Sequence, residues 1–331
     1  MTASPPIPTT MQAIVHRRYG GPDVLRLEDV EVPAVDDDTI LVRVRAASIN
    51  AYDWHLMRGD PYLVRTEEGV LKPKRAIAGV DMAGQVEAVG KNVTEFRPGD
   101  AVFGERDGAF AEYVAAKATS LALKPGNLTF EKAAAVPMAG FTALQALRDK
   151  GRVQPGQRVL VTGAAGGVGS FAIQLAKAFG ATVTGVCHTE NVEMVRSMGA
   201  DDVIDYTAED FTRRRETFDL ILDIAASPSL IACRRVLSPG GTLVVVGAPM
   251  GRWFAPLRRP IMAVVLSQLG SKRLLPFLAR RSKDDLVVLA SLIEAGTISP
   301  VVDSAFPMKH AADAMRHMEN DHIGGKVVIT V

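Results

Sequence analysis

The chain has 331 residues and nearly balanced charge, with 38 Lys and Arg, 37 Asp and Glu, and a formal net charge of +1. This balance argues against nucleic acid or an anionic membrane as a partner, because both attract a strong excess of basic residues. With 47% hydrophobic and 23% charged residues, the composition is typical of a folded globular protein. The length is sufficient for about two domains.

The two cysteines, Cys187 and Cys233, cannot form a disulfide framework or a four-thiolate zinc site. No apolar run approaches the ~20 residues of a membrane-spanning helix. Residues 1–10 lack the basic and apolar parts of a signal peptide and are expected to form a flexible tail. We therefore expect a cytoplasmic protein.

Short strand-like segments separated by turns dominate the chain from Met11 to about residue 126. Residues 40–46 are rich in β-forming side chains, and residues 85–90 alternate between apolar and polar. Turn sequences with glycine and proline occur at 20–22, 97–100 and 124–127. This part predicts an all-β, barrel-like domain.

After about residue 127, strand patterns alternate with helical ones. A buried-type strand over 158–162 leads into a glycine-rich turn and an amphipathic helix, and further strands are predicted at 182–187, 220–224 and 242–246. Such alternation is typical of a parallel, doubly wound α/β sheet. Residues 301–331 add a strand, a helix and a final strand.

The turn after the 158–162 strand has the pattern expected of a dinucleotide-binding site. It reads Ala164-x-Gly166-x-x-Gly169, with Gly167 and Val168 between the two glycines. Glycines let the backbone approach a pyrophosphate, and the next helix offers free N–H groups and the positive end of its dipole. The alternative is a purely structural turn, which the flanking strand and helix disfavour.

The end of the following strand distinguishes NAD from NADP, because an acidic residue there would bind the ribose 2′-hydroxyl. Cys187 occupies the position where that acid is expected, so NADPH is favoured over NADH. Glu190 would oppose this choice if it pointed inward. Candidates for the 2′-phosphate are the cationic or hydrogen-bonding side chains His188, Thr189, Asn191, Arg196 and Tyr206, although Tyr206 could instead pack on the adenine.

Seven short segments occur in a fixed order along the chain: 19–25 (YGGPDVL), 46–50 (AASIN), 78–84 (AGVDMAG), 139–145 (AGFTALQ), the glycine turn with 174–177 (QLAK), 198–206 (MGADDVIDY) and 324–328 (GGKVV). In this order the chain resembles a zinc-independent medium-chain dehydrogenase/reductase of the quinone oxidoreductase branch. The resemblance implies a GroES-like, mostly-β catalytic domain over 11–126 and 290–331. It also implies a Rossmann NADP-binding domain over 127–289.

The resemblance also bears on metal binding. Zinc-bearing relatives supply metal ligands from a cysteine and a His-Glu pair, and the matching positions here hold Asn50 and Val80-Asp81. Neither Asn nor Val is a good zinc ligand, and no cysteine precedes Cys187. We therefore expect no zinc in this protein.

Without a metal, hydrogen-bond donors must stabilise the enolate or hydroquinone oxygen that forms when hydride arrives. The resemblance places Asn50 beside the nicotinamide, where it would serve both cofactor binding and catalysis, with Tyr52 as a nearby phenol. In relatives that reduce enoyl thioesters, a tyrosine in this region donates a proton. Tyr62 lies one residue after the position that matches this tyrosine. The resemblance assigns three further residues to the cofactor site: Thr142, Gly247 and Lys326.

The function expected from these residues is NADPH-dependent hydride transfer to a small molecule, either a quinone or an α,β-unsaturated carbonyl. Two alternatives remain open: an enoyl-thioester reductase, and a non-catalytic NADPH-binding sensor or partner protein, because a glycine turn indicates only binding. The resemblance also suggests a homodimer.

Residues 252–283 combine basic and apolar side chains and are expected to form amphipathic helices with a basic face. One interpretation is a solvated face above a subunit or domain contact. The other is a lid that binds an anionic or acyl-CoA-like substrate. The basic residues concerned are Arg252, Arg258, Arg259, Lys272, Arg273, Arg280, Arg281 and Lys283.

Overall fold

The structure, a computed structural model, describes residues 7–226, 229–247 and 255–331. Its first part contains the strands β1 (Thr10–Val15), β2 (Arg26–Glu31), β3 (Thr39–Ser48), β4 (Asp81–Val89), β5 (Ala101–Glu105), β6 (Tyr113–Lys117) and β7 (Leu121–Leu123), with the helices α1 (Ala51–Arg58) and α2 (Tyr62–Glu68). The strand β1 begins at Thr10 and the backbone N–H of Val32 donates to Thr9 O. The tail predicted over 1–10 is therefore ordered at Thr9 and Thr10, and residues 1–6 lie outside the described residues.

The middle of the chain alternates strands and helices. Its elements are α3 (Phe130–Ala134), α4 (Pro137–Gln145), β8 (Arg158–Thr162), α5 (Gly167–Ala178), β9 (Thr182–Cys187), α6 (Val192–Ser197), β10 (Asp202–Asp205), β11 (Phe218–Asp223), α7 (Leu230–Arg235), β12 (Leu237–Val245), α8 (Ala255–Ser267), β13 (Arg273–Pro276) and α9 (Lys283–Glu294). The last elements are β14 (Val302–Pro307), α10 (Ala311–Asn320) and β15 (Lys326–Thr330).

Two large sheets organise these elements. One has seven strands, in the order β14-β15-β3-β4-β5-β7 with β6 beside β3, so it combines strands from both ends of the chain. The other has six parallel strands in the order β10-β9-β8-β11-β12-β13. This second sheet confirms the predicted doubly wound α/β fold, with its switch point between β8 and β11.

The parallel sheet is buried by helices and shares an apolar core with the other sheet. Four of the five residues of β8 are buried, as expected for a parallel strand covered by helices on both faces. One apolar core crosses from one sheet to the other, because Phe103 of β5, Phe141 of α4 and Phe171 of α5 belong to the same buried cluster. Packing on this cluster brings the two sheets together along α4 and α5.

The basic segment at 252–283 differs from its prediction. Residues 255–267 form a helix, but residues 273–276 form the strand β13, which pairs with β12. Leu274 is buried while Arg273 is exposed, so here the alternation of a strand prevails over a helical face. Arg252, Trp253 and Phe254 lie outside the described residues.

The domain boundaries remain a prediction, and the one at 289/290 falls inside α9. Across 7–226, 229–247 and 255–331, none of the helices combines the length and the apolar character needed to cross a membrane.

Candidate active site

The glycine turn lies between β8 and α5, at the carboxyl end of the parallel sheet. Gly163 adopts a left-handed conformation (φ +65°), and Gly166 is the residue before the first turn of α5. A Cβ on Gly169 would lie 2.1 Å from the carbonyl oxygen of Gly163, so only glycine allows the helix to start this close to the strand. A Cβ on Gly166 would meet no atom closer than 3.6 Å, which leaves space beside the helix N-terminus. This cradle fits a pyrophosphate.

The segment 324–326, which leads into β15 and includes its first residue, covers one side of this turn. The backbone N–H of Gly325 donates to Ala165 O at 2.8 Å, and Gly166 forms a parallel bridge with Gly325. The side chain of Lys326 passes so close that a Cβ on Gly167 would lie 2.6 Å from its Cδ. The glycine turn is therefore built from two distant parts of the chain.

The predicted ribose end follows β9. The ring of His188 stacks on the ring of His322, with 4.1 Å between centroids, and lies 5.8 Å from the ring of Tyr206. Tyr206 is half exposed, whereas Cys187 is buried and burial raises its pKa to about 11. His322 was missed by sequence reasoning, because it belongs to the segment that leads into β15.

Two observations at the ribose end differ from the expectations. Thr189 donates through its hydroxyl to the Asp205 carboxylate at 2.6 Å, so an acidic residue does lie close to the predicted phosphate ligands. Hydrogen bonds from Thr189 and Thr207 lower the pKa of Asp205. The buried side chain of Asn191 donates instead to the main-chain oxygen of His322 at 3.1 Å, which directs it toward the 322–324 segment.

The predicted reaction end lies where α1 begins. Asn50 precedes this helix, and its backbone N–H donates to the Asp53 carboxylate at 2.8 Å. The ammonium of Lys326 donates to Asn50 Oδ1 and, at 2.8 Å, to the main-chain oxygen of Ile49. The pairing of β15 with β3 creates this contact, since the N–H of Ile49 donates to Val327 O. Asn50 and Lys326 are both buried.

Asp81, the first residue of β4, completes this group. Its carboxylate lies 3.8 Å from the Lys326 ammonium and accepts hydrogen bonds from the Ser48 hydroxyl (3.3 Å) and from the N–H of Met138 (3.2 Å). Met138 lies in the first turn of α4, so the positive end of this helix also faces the carboxylate. Burial raises the pKa of Asp81 and lowers that of Lys326, while the attraction between the two charges opposes both shifts.

Two further buried acids surround this pair. Burial raises the pKa of Asp53 to about 7, and burial together with the nearby Asp81 raises the pKa of Glu105 to about 9. Arg281 approaches Glu105 Oε2 at 3.3 Å and donates to Asp107 at 2.6 Å. The reaction end is thus a buried cluster of ionisable groups.

The other predicted site residues occupy separate places. Tyr52 is in α1, and burial is the main cause that raises its pKa. Tyr62 begins α2, and its ring packs against the guanidinium of Arg65. Thr142 is buried in α4. Gly247 follows β12, where a Cβ would lie 1.9 Å from Ile224 O, so close packing by itself requires glycine there.

Several basic residues of the 252–283 segment bind other groups of the same chain. Arg259 binds the buried carboxylate of Asp223, Arg281 binds Asp107, and the Lys272 ammonium donates to Arg234 O. These contacts favour the interpretation as a structural face over an anion-binding lid.

In the parts of the chain that the structure covers, no group of three or more His, Cys, Asp or Glu side chains is arranged to hold a metal ion.

Comparison with known proteins agrees with this geometry. Residues 36–126 match the alcohol dehydrogenase GroES-like domain, and residues 198–329 match the zinc-binding dehydrogenase family. An NADPH-dependent alkenal/one oxidoreductase of Arabidopsis thaliana is 34% identical, over 99% of this chain and 82% of its own length. A 2-methylene-furan-3-one reductase of Solanum lycopersicum is also 34% identical, over 98% of this chain and 80% of its own. The quinone oxidoreductase structure from Coxiella burnetii has a TM-score of 0.87 and 29% identity, covering 97% of this chain and 99% of that one.

A GroES-like domain next to a Rossmann sheet with a pyrophosphate cradle defines a nicotinamide-dependent oxidoreductase that acts on a small molecule. The chain belongs to the medium-chain dehydrogenase/reductase superfamily, in its quinone oxidoreductase-like branch.

Proposed function

We propose that this enzyme uses NADPH to reduce a quinone or the carbon–carbon double bond of an α,β-unsaturated carbonyl, without zinc. The observation that carries the proposal is the buried contact between Asn50 and Lys326. Lys326 directly follows Gly325, which is bridged to Gly166 of the glycine turn. The names of the alkenal/one oxidoreductase and the furanone reductase support this substrate class.

The bound cofactor supplies the hydride, and the residues of the chain must manage the charge that the hydride leaves on the substrate. When hydride adds to the β-carbon, the electron pair of the double bond moves onto the carbonyl oxygen; a quinone gains negative charge on oxygen in the same way. Donors fixed before the reaction stabilise such an oxygen most effectively. Asn50 is the proposed donor, and Tyr52 and Tyr62 are proposed proton donors.

The residue types at the reaction end support a reaction without metal. The positions that match zinc ligands hold Asn50, Val80 and Asp81, and the amide of Asn50 is already held by an ammonium group. Zinc prefers thiolate, imidazole and carboxylate ligands, so of these three residues only Asp81 is a good ligand, and Asn50 and Val80 fit zinc poorly.

We propose NADPH as the preferred cofactor, with its 2′-phosphate near His188, Thr189 and Tyr206. The Asp205 carboxylate beside Thr189 would repel that phosphate. Asp205→Asn should therefore strengthen NADPH binding by about tenfold, which corresponds to ~1.4 kcal/mol, and leave NADH binding nearly unchanged. Fluorescence titration with both cofactors measures the two affinities. Equal changes in NADPH and NADH affinity would contradict the proposed position of the 2′-phosphate.

The proposed function is tested by NADPH oxidation after EDTA treatment, with an ortho-quinone, an alkenal and a crotonyl thioester as acceptors and NADH in parallel. Turnover of the quinone or alkenal that survives chelation supports the proposal. Preference for the thioester favours an enoyl-thioester reductase. Tight NADPH binding without any turnover favours a sensor or partner protein.

A homodimer is also proposed, because β13 is the outermost strand of its sheet and α8 exposes apolar side chains near it. The exposed side chains are Ile261, Met262, Val264 and Val265. Light scattering after size exclusion should show twice the mass of one chain, and Val265→Asp should reduce it to one. A cytoplasmic location remains a prediction from the sequence.

A further inference from the structure

The 321–325 segment, which connects α10 to β15, lies against the glycine turn. Gly325 has φ +112°, a backbone conformation that favours glycine, and neither it nor Gly324 has a side chain that could pack. The position of the segment therefore depends on its hydrogen bonds. The N–H of Gly325 donates to Ala165 O at 2.8 Å, and the N–H of Gly324 donates to Asp303 Oδ1, also at 2.8 Å. One bond holds the segment to the turn, and the other holds it to β14.

His317 of α10 binds the carboxylate that holds Gly324. Its Nε2 lies 2.8 Å from Asp303 Oδ2, and its Nδ1 lies 2.5 Å from Asp321 Oδ2. Ionised carboxylates only accept hydrogen bonds, so both ring nitrogens must donate, which is the pattern of the charged imidazolium. One charged ring therefore connects the first residue of the segment with the carboxylate that holds its fourth residue.

A neutral imidazole has one N–H and serves only one of these two carboxylates. The other carboxylate then loses its donor, and the two negative charges repel each other across the ring. The hydrogen bond with Asp303 is the main cause that raises the pKa of His317; Asp321 raises this pKa further, and partial burial opposes both. The link is therefore complete below pH 6.5, the ordinary value for histidine, and is lost as pH rises through the higher folded pKa.

The two carboxylates determine the charge of the ring, because the other charged side chains around this end of α10 have partners of their own. Asp303 reaches the ring from β14, and Asp321 directly follows α10. The ring of Phe306, also in β14, packs on His317 with 5.7 Å between centroids. The pairs formed by the neighbouring charges are Arg316 with Asp23 and Asp313, His310 with Asp313, and Arg58 with Glu319.

We propose that His317 is a positioning residue for the cofactor: its charged ring ties Asp303 to Asp321, holds the 321–325 segment against the glycine turn, and so slows the release of a bound dinucleotide. Without that charge, the segment is free to move away from the turn, and the cofactor leaves faster. The inference concerns cofactor exchange alone. It rests on the nicotinamide cofactor common to this class of enzymes and goes beyond the proposed reaction.

The first test measures the rate of NADPH release in a stopped-flow instrument, by the fall in bound-cofactor fluorescence when excess NADP⁺ displaces it. At about pH 6, His317→Gln should release NADPH roughly fivefold faster than the wild type, the size expected of one exposed ion pair. At about pH 9 the two proteins should release it at the same rate, because the ring of the wild type is then neutral. Equal rates at the lower pH, or the same acceleration at both, would overturn the inference.

A second test separates the charge of the ring from its packing. Arginine stays charged at both pH values and can donate to two carboxylates, so His317→Arg should release NADPH slowly at both. The matched control is His310→Gln, which also removes a contact between histidine and aspartate, but away from the 321–325 segment. This control should release NADPH at the wild-type rate. Fast release by His317→Arg at the lower pH, or equal acceleration in the control, would overturn the inference.

A third test repeats the release experiment with NADH displaced by NAD⁺ and so separates this inference from the proposed function. The glycine turn serves the pyrophosphate, which both cofactors contain, so His317→Gln should accelerate the release of both by the same factor. Acceleration of NADPH alone would place the effect at the 2′-phosphate and overturn the inference. If both are accelerated but no acceptor is reduced, only the proposed function fails.

Discussion

The two ends of the proposed site, the glycine turn (the cofactor end) and the buried group around Asn50 and Lys326 (the reaction end), are built by different means. The cofactor end consists of backbone, because Gly163, Gly166 and Gly169 let β8, the turn and α5 approach closely. The reaction end consists of buried ionisable side chains, Asp81 and Lys326 among them, that come from separate strands. We therefore expect cofactor binding at the first end to depend on shape, and chemistry at the second to depend on charge held out of water. Mutations at the two ends should therefore fail in different ways.

The largest effect is expected at the cofactor end. Gly169→Val should abolish measurable NADPH binding and destabilise the fold by about 3 kcal/mol, because the new Cβ would overlap the backbone; that Cβ would lie 2.1 Å from Gly163 O. Gly126→Ala is the matched control, since a Cβ there meets no atom within 4 Å. Calorimetry and cofactor titration measure both effects. Normal NADPH binding by Gly169→Val would contradict the backbone account.

A smaller and different effect is expected at the reaction end. Asn50→Ala should lower kcat by about 10²- to 10³-fold, the usual cost of losing one oxyanion donor, while NADPH affinity changes much less. Asn92→Ala, at an exposed side chain bonded to Asp38, is the control. Steady-state kinetics with cofactor titration separates the two parameters. Loss of NADPH binding with unchanged kcat would place Asn50 at the cofactor end instead.

The charge at the reaction end should also appear in the pH dependence of stability. The pKa of Glu105 is raised from 4.5 to about 9, so the folded state binds more protons than the unfolded state between these values. Stability should therefore fall as pH rises through this window, by at most about 1.4 kcal/mol per pH unit.

Glu105→Gln should flatten this dependence, because glutamine does not ionise. Denaturant unfolding at several pH values measures this dependence. The control is Glu87→Gln, in the second half of β4. A wild-type slope in Glu105→Gln would show that other groups set the pH dependence.

The smallest effect is expected at His317 of α10, whose partner Asp303 also accepts a hydrogen bond from the N–H of Gly324. His317 contacts Asp303 and Asp321, and the hydrogen bond with Asp303 is the first cause that raises its pKa. Its contribution to stability is complete below pH 6.5 and is lost as pH rises through the higher folded pKa.

His317→Gln should therefore destabilise the protein by less than about 1 kcal/mol at pH 5.5, the usual size for an exposed pair, and have almost no effect at pH 9. Thermal unfolding at both pH values tests this, and an equal loss at both would identify a packing role instead.

The same contrast explains how much could be predicted from the sequence. The glycine turn, the doubly wound sheet and the family were predictable, because consecutive residues carry their signals. The contact of Lys326 with Asn50 joins residues 276 positions apart, and it follows from the pairing of β15 with β3, which no local pattern specifies. His322 and Asp205 were missed at the ribose end for a related reason. Asp205 ends β10 and His322 precedes β15, whereas His188 and Thr189 follow β9, so only the fold brings them together.

The position of Lys326 on β15 has a consequence for biosynthesis, since every other described helix and strand precedes β15 along the chain. During translation, all six strands of the parallel sheet leave the ribosome before this lysine does. A growing chain can thus assemble its nucleotide-binding sheet while the ammonium and the covering segment 324–326 are still missing. The lysine and the covering segment therefore join Asn50 and the glycine turn only after the strands of the nucleotide-binding sheet have been made.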